Sequence, residues 1–135
     1  MDRETLDSIR QSVVEAGLVL ARSSMTIGTY GNISQRVDAD HIAITPSGRD
    51  YEQLIPADIV ITDMEGTIAE SSSAPVNQDF GHKPVADDSV NTKEDRSSAI
   101  APLRTSSELP LHLEIYKSFP EAQAIVHTHS VYASA

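Results

Sequence analysis

Apolar residues near the start of the chain recur at the spacing of a single helix face. Between Asp2 and Ser23 they follow one another in steps of three and four residues. The positions are Leu6, Ile9, Val13, Ala16 and Leu20. This spacing places them on one stripe of an amphipathic α-helix, and the acidic Asp2 and Glu4 suit its positive end. We therefore predict a helix over this segment with one buried face.

The pattern then changes to the two-residue alternation of β-strands. Residues 32–37 alternate apolar and polar side chains, and residues 41–45 form a second such run after a turn-forming segment at 38–40. Pro46, Ser47 and Gly48 end that run with residue types that favour a tight turn. A third strand is predicted at 59–62.

Residues 70–102 lose any periodicity. Ser, Asp, Asn and Pro dominate this stretch, and its apolar residues are isolated. Such a composition cannot bury a continuous apolar face. We predict a loop or disordered insertion that interrupts a single, partial domain spanning residues 1–135.

A second helix is predicted after the insertion. Ser106 and Ser107 are good N-cap residues, Glu108 would lie in the first turn, and Pro110 is tolerated only there. The predicted packing face contains His112, Ile115, Tyr116 and Phe119. Residues 124–127 form a short apolar run that is typical of a buried strand.

This order of elements predicts the fold class. Short turns between the early strands favour antiparallel pairing, and helices before and after them indicate an α/β protein. We predict a three-layer α/β/α architecture with a mixed, largely antiparallel central sheet that is incomplete at its C-terminal end.

Charge and composition narrow the classes of partner. The formal net charge is −10, with 10 basic against 20 acidic residues. Binding to nucleic acid needs a basic surface, so we do not expect nucleic acid to be a partner. No run approaches the ~18 apolar residues of a membrane span, and the charged N-terminus does not resemble a signal peptide. We expect a cytoplasmic protein with no membrane partner.

Two histidines near the end of the chain are candidate metal ligands. His127 and His129 are two residues apart, so on an extended segment both rings point to the same side, roughly 6.6 Å apart along the backbone. Cys is absent, so a metal would be held by His, Asp or Glu. A stable site needs a third ligand, and a pair of this kind also occurs in proteins that bind no metal.

Small and polar residues indicate an anion site, although each has a structural alternative. Ser106 and Ser107 place hydroxyls and backbone N–H groups at a helix start, which readily binds phosphate or carboxylate. Turns containing Gly31 with Asn32 and Ser47 with Gly48 could also surround an anion, but such turns are common between strands. Glu108, taken alone, could serve only as a helix cap. The other histidines, at positions 41, 82 and 112, are predicted to be structural or exposed.

Taken in order, these motifs resemble the class II aldolase/adducin family, which includes L-fuculose-phosphate aldolase and L-ribulose-5-phosphate 4-epimerase. The resemblance rests on the Gly31 turn, residues 45–48, residues 106–108, the spacing of His112 and Tyr116, and residues 126–130. It covers nearly everything outside residues 70–102.

The resemblance implies a role for each candidate residue. The substrate and its phosphate would be held by Gly31, Asn32, Ser47, Gly48, Ser106 and Ser107. Glu108 would be the catalytic acid/base, and His127 and His129 would bind Zn²⁺ or another divalent metal. The implied reaction is that of a lyase of carbohydrate metabolism, the cleavage of a ketose phosphate to dihydroxyacetone phosphate and an aldehyde. The family also implies a homo-oligomer, commonly a tetramer.

Two departures from the family pattern keep other functions open. The third histidine of the family would lie beyond residue 135, so Glu108 is a candidate third ligand and we expect weak activity from these residues alone. The 70–102 segment has no counterpart of that length in the family. The alternatives are an epimerase or dehydratase of the same family, or a non-enzymatic, adducin-like interaction domain.

Overall fold

The computed structural model describes residues 2–23, 31–70 and 104–129. In chain order the elements are α1 (Arg3–Arg22), β1 (Asn32–Arg36), β2 (His41–Ile44), β3 (Val60–Asp63), β4 (Ile68–Glu70), α2 (Leu109–Ser118) and β5 (Ala124–His127). Two short 3-10 helices, Tyr51–Gln53 and Pro56–Asp58, connect β2 to β3. The predicted insertion at 70–102 lies outside the described residues, apart from Glu70 at the end of β4.

The five strands form one sheet in the order β4-β3-β2-β1-β5. Every pairing in the described part of the sheet is antiparallel. β1, β2 and β3 follow one another in space as they do in sequence. β5, although last in the chain, pairs with β1 at the opposite edge from β4.

Helices α1 and α2 cover opposite faces of this sheet. Leu6, Val13 and Leu20 of α1 pack with Ile33 and Ala43. On the other side, α2 packs against residues that alternate with those. Ile42, Ile44 and Val60 contact Leu109, Leu113 and Tyr116. Because successive strand residues point to opposite faces, this division follows from strand geometry. The predicted three-layer α/β/α architecture is confirmed.

The first helix agrees with its prediction. Asp2 is the N-cap, and its side chain accepts hydrogen bonds from the Thr5 backbone N–H at 2.7 Å and the Thr5 hydroxyl at 2.8 Å. Leu6, Val13 and Leu20 are buried as the periodicity required. A cap and a regular apolar stripe are both local signals, which explains why this element was predictable.

Three details of the second half were predicted wrongly. The N-cap of α2 is Glu108 rather than Ser106 or Ser107, so Glu108 lies one position before the helix. Phe119 is 55% exposed and is not on the packing face, which is completed by Leu109 and Leu113 instead. β5 is not a buried strand, since Val126 is 58% exposed at the edge of the sheet.

Neither helix in the described part of the chain combines the length and apolarity that a bilayer crossing requires.

Candidate active site

Strand β1 directs the polar side chains of the site. Ile33 packs in the α1 layer, whereas Ser34 hydrogen bonds to His112 and Tyr116 of α2. Asn32, two residues before Ser34, is on this same α2 face and contacts His112. His127 of β5 pairs directly opposite Asn32 and therefore shares that face.

Glu108, His127 and His129 converge at this end of the sheet. One potential ligand atom from each lies within 4.8 Å of the others. The two imidazole rings are 4.8 Å apart between centroids, and His127 Nδ1 is 3.7 Å from Glu108 Oε2. The two-residue spacing in an extended segment therefore brings the rings together, and the residue before the start of α2 adds the carboxylate.

The residues of this cluster fit a divalent cation. His127 Nδ1 is buried and has no hydrogen-bond partner within the described part of the chain. Buried polar atoms normally have a partner, and a metal ion would supply one here. In a tetrahedral zinc site with bonds of about 2.0–2.2 Å, neighbouring ligand atoms lie about 3.4 Å apart. The separation of 3.7 Å between His127 Nδ1 and Glu108 Oε2 is close to that value. Two imidazoles with one carboxylate are also a donor set that catalytic zinc sites use.

A cavity of about 330 Å³ opens beside the cluster. It is lined by Gly31, Asn32, Pro46, Ser47, Gly48, Ser106, Ser107, Glu108 and His129. The structure thus brings the six residues predicted for substrate binding together with Glu108 and one of the histidines. Their roles remain predictions. A larger groove of about 540 Å³ lies between α2 and the β3–β4 turn, but no histidine lines it, so the smaller cavity is the better candidate.

Hydrogen bonds fix the two turns that form the cavity wall. Gly31 and Gly48 have φ angles of 93° and 69°, which are left-handed conformations that favour glycine. The Tyr51 hydroxyl donates to the Gly31 carbonyl oxygen. The Ser47 N–H donates to the Arg104 carbonyl oxygen at 2.9 Å, which ties the second turn to the segment leading into α2.

The start of α2 forms the opposite wall. The Glu108 N–H donates to Ser106 Oγ at 3.2 Å, and the Leu109 N–H donates to the Ser106 carbonyl oxygen at 3.0 Å. This local turn faces the positive end of the α2 dipole toward the cavity, where it favours a negative charge. Glu108 is half-buried there.

A buried chain of hydrogen bonds lies behind the cavity, and sequence reasoning missed it. His112 Nε2 contacts Asn32 Oδ1, His112 Nδ1 is 2.6 Å from Ser34 Oγ, and Ser34 Oγ is 2.9 Å from the Tyr116 hydroxyl. His112 was predicted to lie on the packing face of α2, and it is fully buried there, but its hydrogen bonds were not predicted. Burial, reinforced by the nearby His127, lowers the pKa of His112 from 6.5 to about 4, although Glu108 opposes this shift. The signal in the sequence was that Asn32 and Ser34 lie on one face of a strand and that His112 and Tyr116 lie on one face of a helix, so that these polar groups could pair if the two faces met.

The remaining histidines do not join the cluster. His41 begins β2, and its Nδ1 is 2.9 Å from Asp38 Oδ1 in the hairpin turn. His82 lies outside the described residues.

Residues 11–135 match the family model of the class II aldolase and adducin N-terminal domain. The chain therefore belongs to the class II aldolase and adducin family, as the motifs predicted.

Two dehydratases and an aldolase are among the proteins to which this chain is similar. A methylthioribulose-1-phosphate dehydratase of Marinobacter nauticus is 34% identical over 124 residues, covering 92% of this chain and 45% of the relative. A methylthioribulose-1-phosphate dehydratase of Xanthomonas campestris pv. campestris is 34% identical over 111 residues, covering 82% of this chain and 37% of the relative. The solved structure of an L-fuculose 1-phosphate aldolase matches with a TM-score of 0.67 and 26% identity, covering 94% of this chain and 46% of that chain. The chain thus spans less than half the length of each relative.

Proposed function

We propose that this chain carries the substrate-binding and metal-binding side chains of a divalent-metal-dependent lyase that acts on a ketose 1-phosphate. The observation that carries the proposal is the convergence of Glu108, His127 and His129 beside the cavity. The adducin-like alternative needs no such cluster, and a scaffold would gain nothing from a buried imidazole nitrogen without a partner.

The cavity supplies recognition of the phosphate. The positive end of the α2 dipole faces the cavity, and Ser47, Ser106 and Ser107 line it with hydroxyl groups. These are the donors that bind a phosphate group in the absence of a basic side chain. Binding the phosphate there places the remainder of the sugar toward Glu108 and the histidines.

His127 and His129 are proposed to hold the metal ion, with Glu108 as a further ligand when substrate is absent. A bound divalent cation would act as a Lewis acid that polarises the substrate carbonyl and makes the proton on the neighbouring carbon more acidic. Glu108 is the one carboxylate among the described residues that line the cavity. We therefore assign it the transfer of that proton.

We favour dehydration as the overall reaction because the dehydratase relatives share 34% identity with this chain over 92% of its length in one case. Glu108 would take the proton from the carbon next to the carbonyl. The electrons of that C–H bond would form a C=C bond, and the hydroxyl on the following carbon would leave as water after receiving a proton. The resulting enol would convert to a second carbonyl, so the product is a dicarbonyl phosphate.

Aldol cleavage is the second candidate, favoured by the structural match to L-fuculose 1-phosphate aldolase. Here the hydroxyl on the second carbon from the carbonyl would give its proton to the Glu108 carboxylate. The C–C bond between that carbon and the carbon next to the carbonyl would break, and its electron pair would stay with the phosphate-bearing fragment. Glu108, now in its acid form, would give a proton to the carbon of the phosphate-bearing fragment at which the bond broke. The products are dihydroxyacetone phosphate and an aldehyde, and the same residue serves both reactions.

Metal binding is the first test. We expect the purified protein to bind zinc, measured by calorimetric titration. Loss of an outer-shell partner weakens metal binding roughly 10–100-fold, and the His127→Ala and His129→Ala double variant, which lacks two ligands, should lose more affinity than that. His41→Ala is the matched control because His41 lies in the hairpin turn, away from the cavity. Equal zinc affinity of the double variant and the control would remove the proposed site.

Turnover is the second test. With zinc present, methylthioribulose 1-phosphate should give a dicarbonyl product and fuculose 1-phosphate an aldehyde, and the preferred substrate decides between the two reactions. Glu108→Gln should lower kcat by roughly 10²–10⁴-fold with zinc affinity measured in parallel. Glu114→Gln, an exposed carboxylate of the same helix, is the control. Full activity of Glu108→Gln would exclude Glu108 as the acid/base.

A further inference from the structure

The Asn32 carbonyl oxygen faces His112 Nε2, and this orientation sets the arrangement of protons in the buried hydrogen-bond chain behind the cavity. Asn32 Oδ1 carries no hydrogen, so His112 Nε2 must donate to it. A neutral imidazole has one donor and one acceptor, so His112 Nδ1 accepts from the Ser34 hydroxyl at 2.6 Å. Since that hydroxyl proton is used, Ser34 Oγ accepts from the Tyr116 hydroxyl at 2.9 Å.

This arrangement of protons leaves the side-chain NH₂ group of Asn32 available to the cavity. Asn32 lines the cavity, and its carbonyl oxygen is held by His112. Among the described residues, no hydrogen bond engages its side-chain NH₂ group. The group available to a ligand at this position is therefore a donor.

We propose that His112, supported by Ser34 and Tyr116, is a positioning residue that holds the Asn32 amide with its NH₂ group toward the cavity, so that this position selects an oxygen that only accepts hydrogen bonds, such as a phosphate oxygen. The inference rests on the proposed function, which places the substrate phosphate in this cavity. His112 does not touch the substrate in this arrangement. It acts through Asn32.

The support from Ser34 and Tyr116 is needed because both the imidazole and the amide can reverse. If His112 carried its proton on Nδ1, Nε2 would become an acceptor and the Asn32 amide would rotate to donate to it. The Asn32 carbonyl oxygen would then face the cavity and repel an anion. Reversal would turn the Ser34 hydroxyl to donate to Tyr116, and the buried Tyr116 hydroxyl proton would then lack an acceptor among the described residues. Burial keeps the imidazole neutral.

The proton arrangement can be measured without any substitution. Nitrogen-15 NMR of the imidazole distinguishes the two neutral forms, and we expect the form protonated on Nε2 for His112 at neutral pH. The form protonated on Nδ1 would overturn the inference.

A pair of substitutions tests the effect on binding, with inorganic phosphate as the probe. His112→Gln keeps an N–H donor near the place of Nε2, whereas His112→Asn keeps a polar group near the place of Nδ1 and leaves Asn32 without its donor. We expect His112→Asn to bind phosphate roughly 10–100-fold more weakly, the effect of losing a hydrogen bond to a charged group, and His112→Gln to retain most of the affinity. Zinc affinity should change little in either, because the proposed ligands are elsewhere.

Smaller substitutions keep the test valid if His112→Asn does not fold. Ser34→Ala removes the donor to Nδ1, and Tyr116→Phe removes one hydroxyl while keeping the ring. Both should weaken phosphate binding and raise KM more than they lower kcat, with the larger effect in Ser34→Ala. Unchanged phosphate affinity in the folded variants, with normal binding by the wild type, overturns the inference alone. If the wild type binds no phosphate, the phosphate pocket in the proposed function is wrong, and the inference is overturned with it.

Discussion

The two faces of the sheet are built from alternating residues of the same strands, yet they differ in chemistry. On the α1 face Leu6, Val13 and Leu20 form an apolar cluster with the strands, and Arg10 is the one charged side chain that the described part of α1 buries. The α2 face is apolar near β3, but at β1 it buries Asn32, Ser34 and His112. Because strand side chains alternate, one strand supplies a core to one layer and a polar site to the other.

This difference separates stability from function in the molecule. Truncating Leu6, Val13 or Leu20 on the α1 face removes packing but touches no residue that lines the cavity. On the α2 face, each buried polar group needs its partner, because an unpaired one loses hydrogen bonds that water would supply. We therefore expect substitutions in the α1 layer to lower stability in proportion to the apolar volume that they remove. In the α2 layer, we expect substitutions that change hydrogen bonding or charge to have the larger effects.

The largest expected effect is on the α1 face. Leu20 is 3% exposed, and Leu20→Ala should lower the free energy of unfolding by about 2–5 kcal/mol, since it removes buried methyl groups and leaves a cavity. Urea unfolding measures this. Val19→Ala on the same helix is the matched control, because Val19 is 66% exposed and its loss should change stability by only about 0.5 kcal/mol.

Zinc and phosphate affinities of folded Leu20→Ala should match those of the wild type. A large loss of either affinity at a temperature where the variant is folded would show that the two layers are energetically coupled, which contradicts the separation proposed here.

The next effect is the pH dependence of stability from the α2 face. His112 has a pKa of about 4 in the folded protein against 6.5 for the free side chain. Between these values the unfolded state binds a proton that the folded state does not, so lowering the pH favours unfolding. The contribution of His112 to the free energy of unfolding is on the order of 3 kcal/mol. It is fully present above pH 6.5 and is lost as the pH falls toward 4.

Urea unfolding at a series of pH values checks this prediction, with His112→Gln as the comparison because glutamine does not titrate. The difference in stability between wild type and variant should shrink as the pH falls through that window. A difference that stays constant with pH would show that His112 has the same pKa in the folded and unfolded states, and the burial of a neutral imidazole would be wrong.

The smallest effects come from two glycines, one in each region. Gly17 is helical, and a Cβ there would meet Leu54 and Tyr51 at 3.6 Å, an ordinary contact. Gly17→Ala should therefore stabilise the protein by about 0.5–1 kcal/mol. Gly48 has open space but a φ of +69°, so Gly48→Ala should destabilise it by roughly 1–2 kcal/mol through backbone strain. Thermal unfolding of the two variants should shift in opposite directions, and a shift in the same direction would contradict this account.

The elements best predicted from sequence are those with local signals. α1 has a capping residue and a regular apolar stripe, and the β1–β2 hairpin has clear alternation with a short turn. The start of α2 was misplaced because Ser106 and Ser107 are better capping residues than Glu108, yet the tertiary position of the turn starts the helix after Glu108. The exposure of β5 was also missed, because an apolar run of four residues does not reveal whether its strand is central or at an edge.

The candidate site shows the same limit. The facing of His127 and His129 follows from their spacing, but the approach of Glu108 depends on how α2 lies across the sheet. The contact between Asn32 and His112 joins residues 80 positions apart, and no local pattern encodes a contact at that distance along the chain. Similarly, Arg36 donates from Nε to the Ala122 carbonyl oxygen at 2.9 Å and fixes the connection between α2 and β5.

The residue types available for chemistry, and the faces on which neighbours along one element lie, can be read from the amino-acid sequence, because helix and strand periodicities are properties of the local backbone. Which of those faces meet depends on how the elements pack. This packing placed β5 beside β1 and α2 across both, and so brought Glu108 to His127 and His112 to Asn32. The physical reason is that such contacts arise from burying two apolar helix faces on opposite sides of one sheet, a condition that involves the whole chain at once.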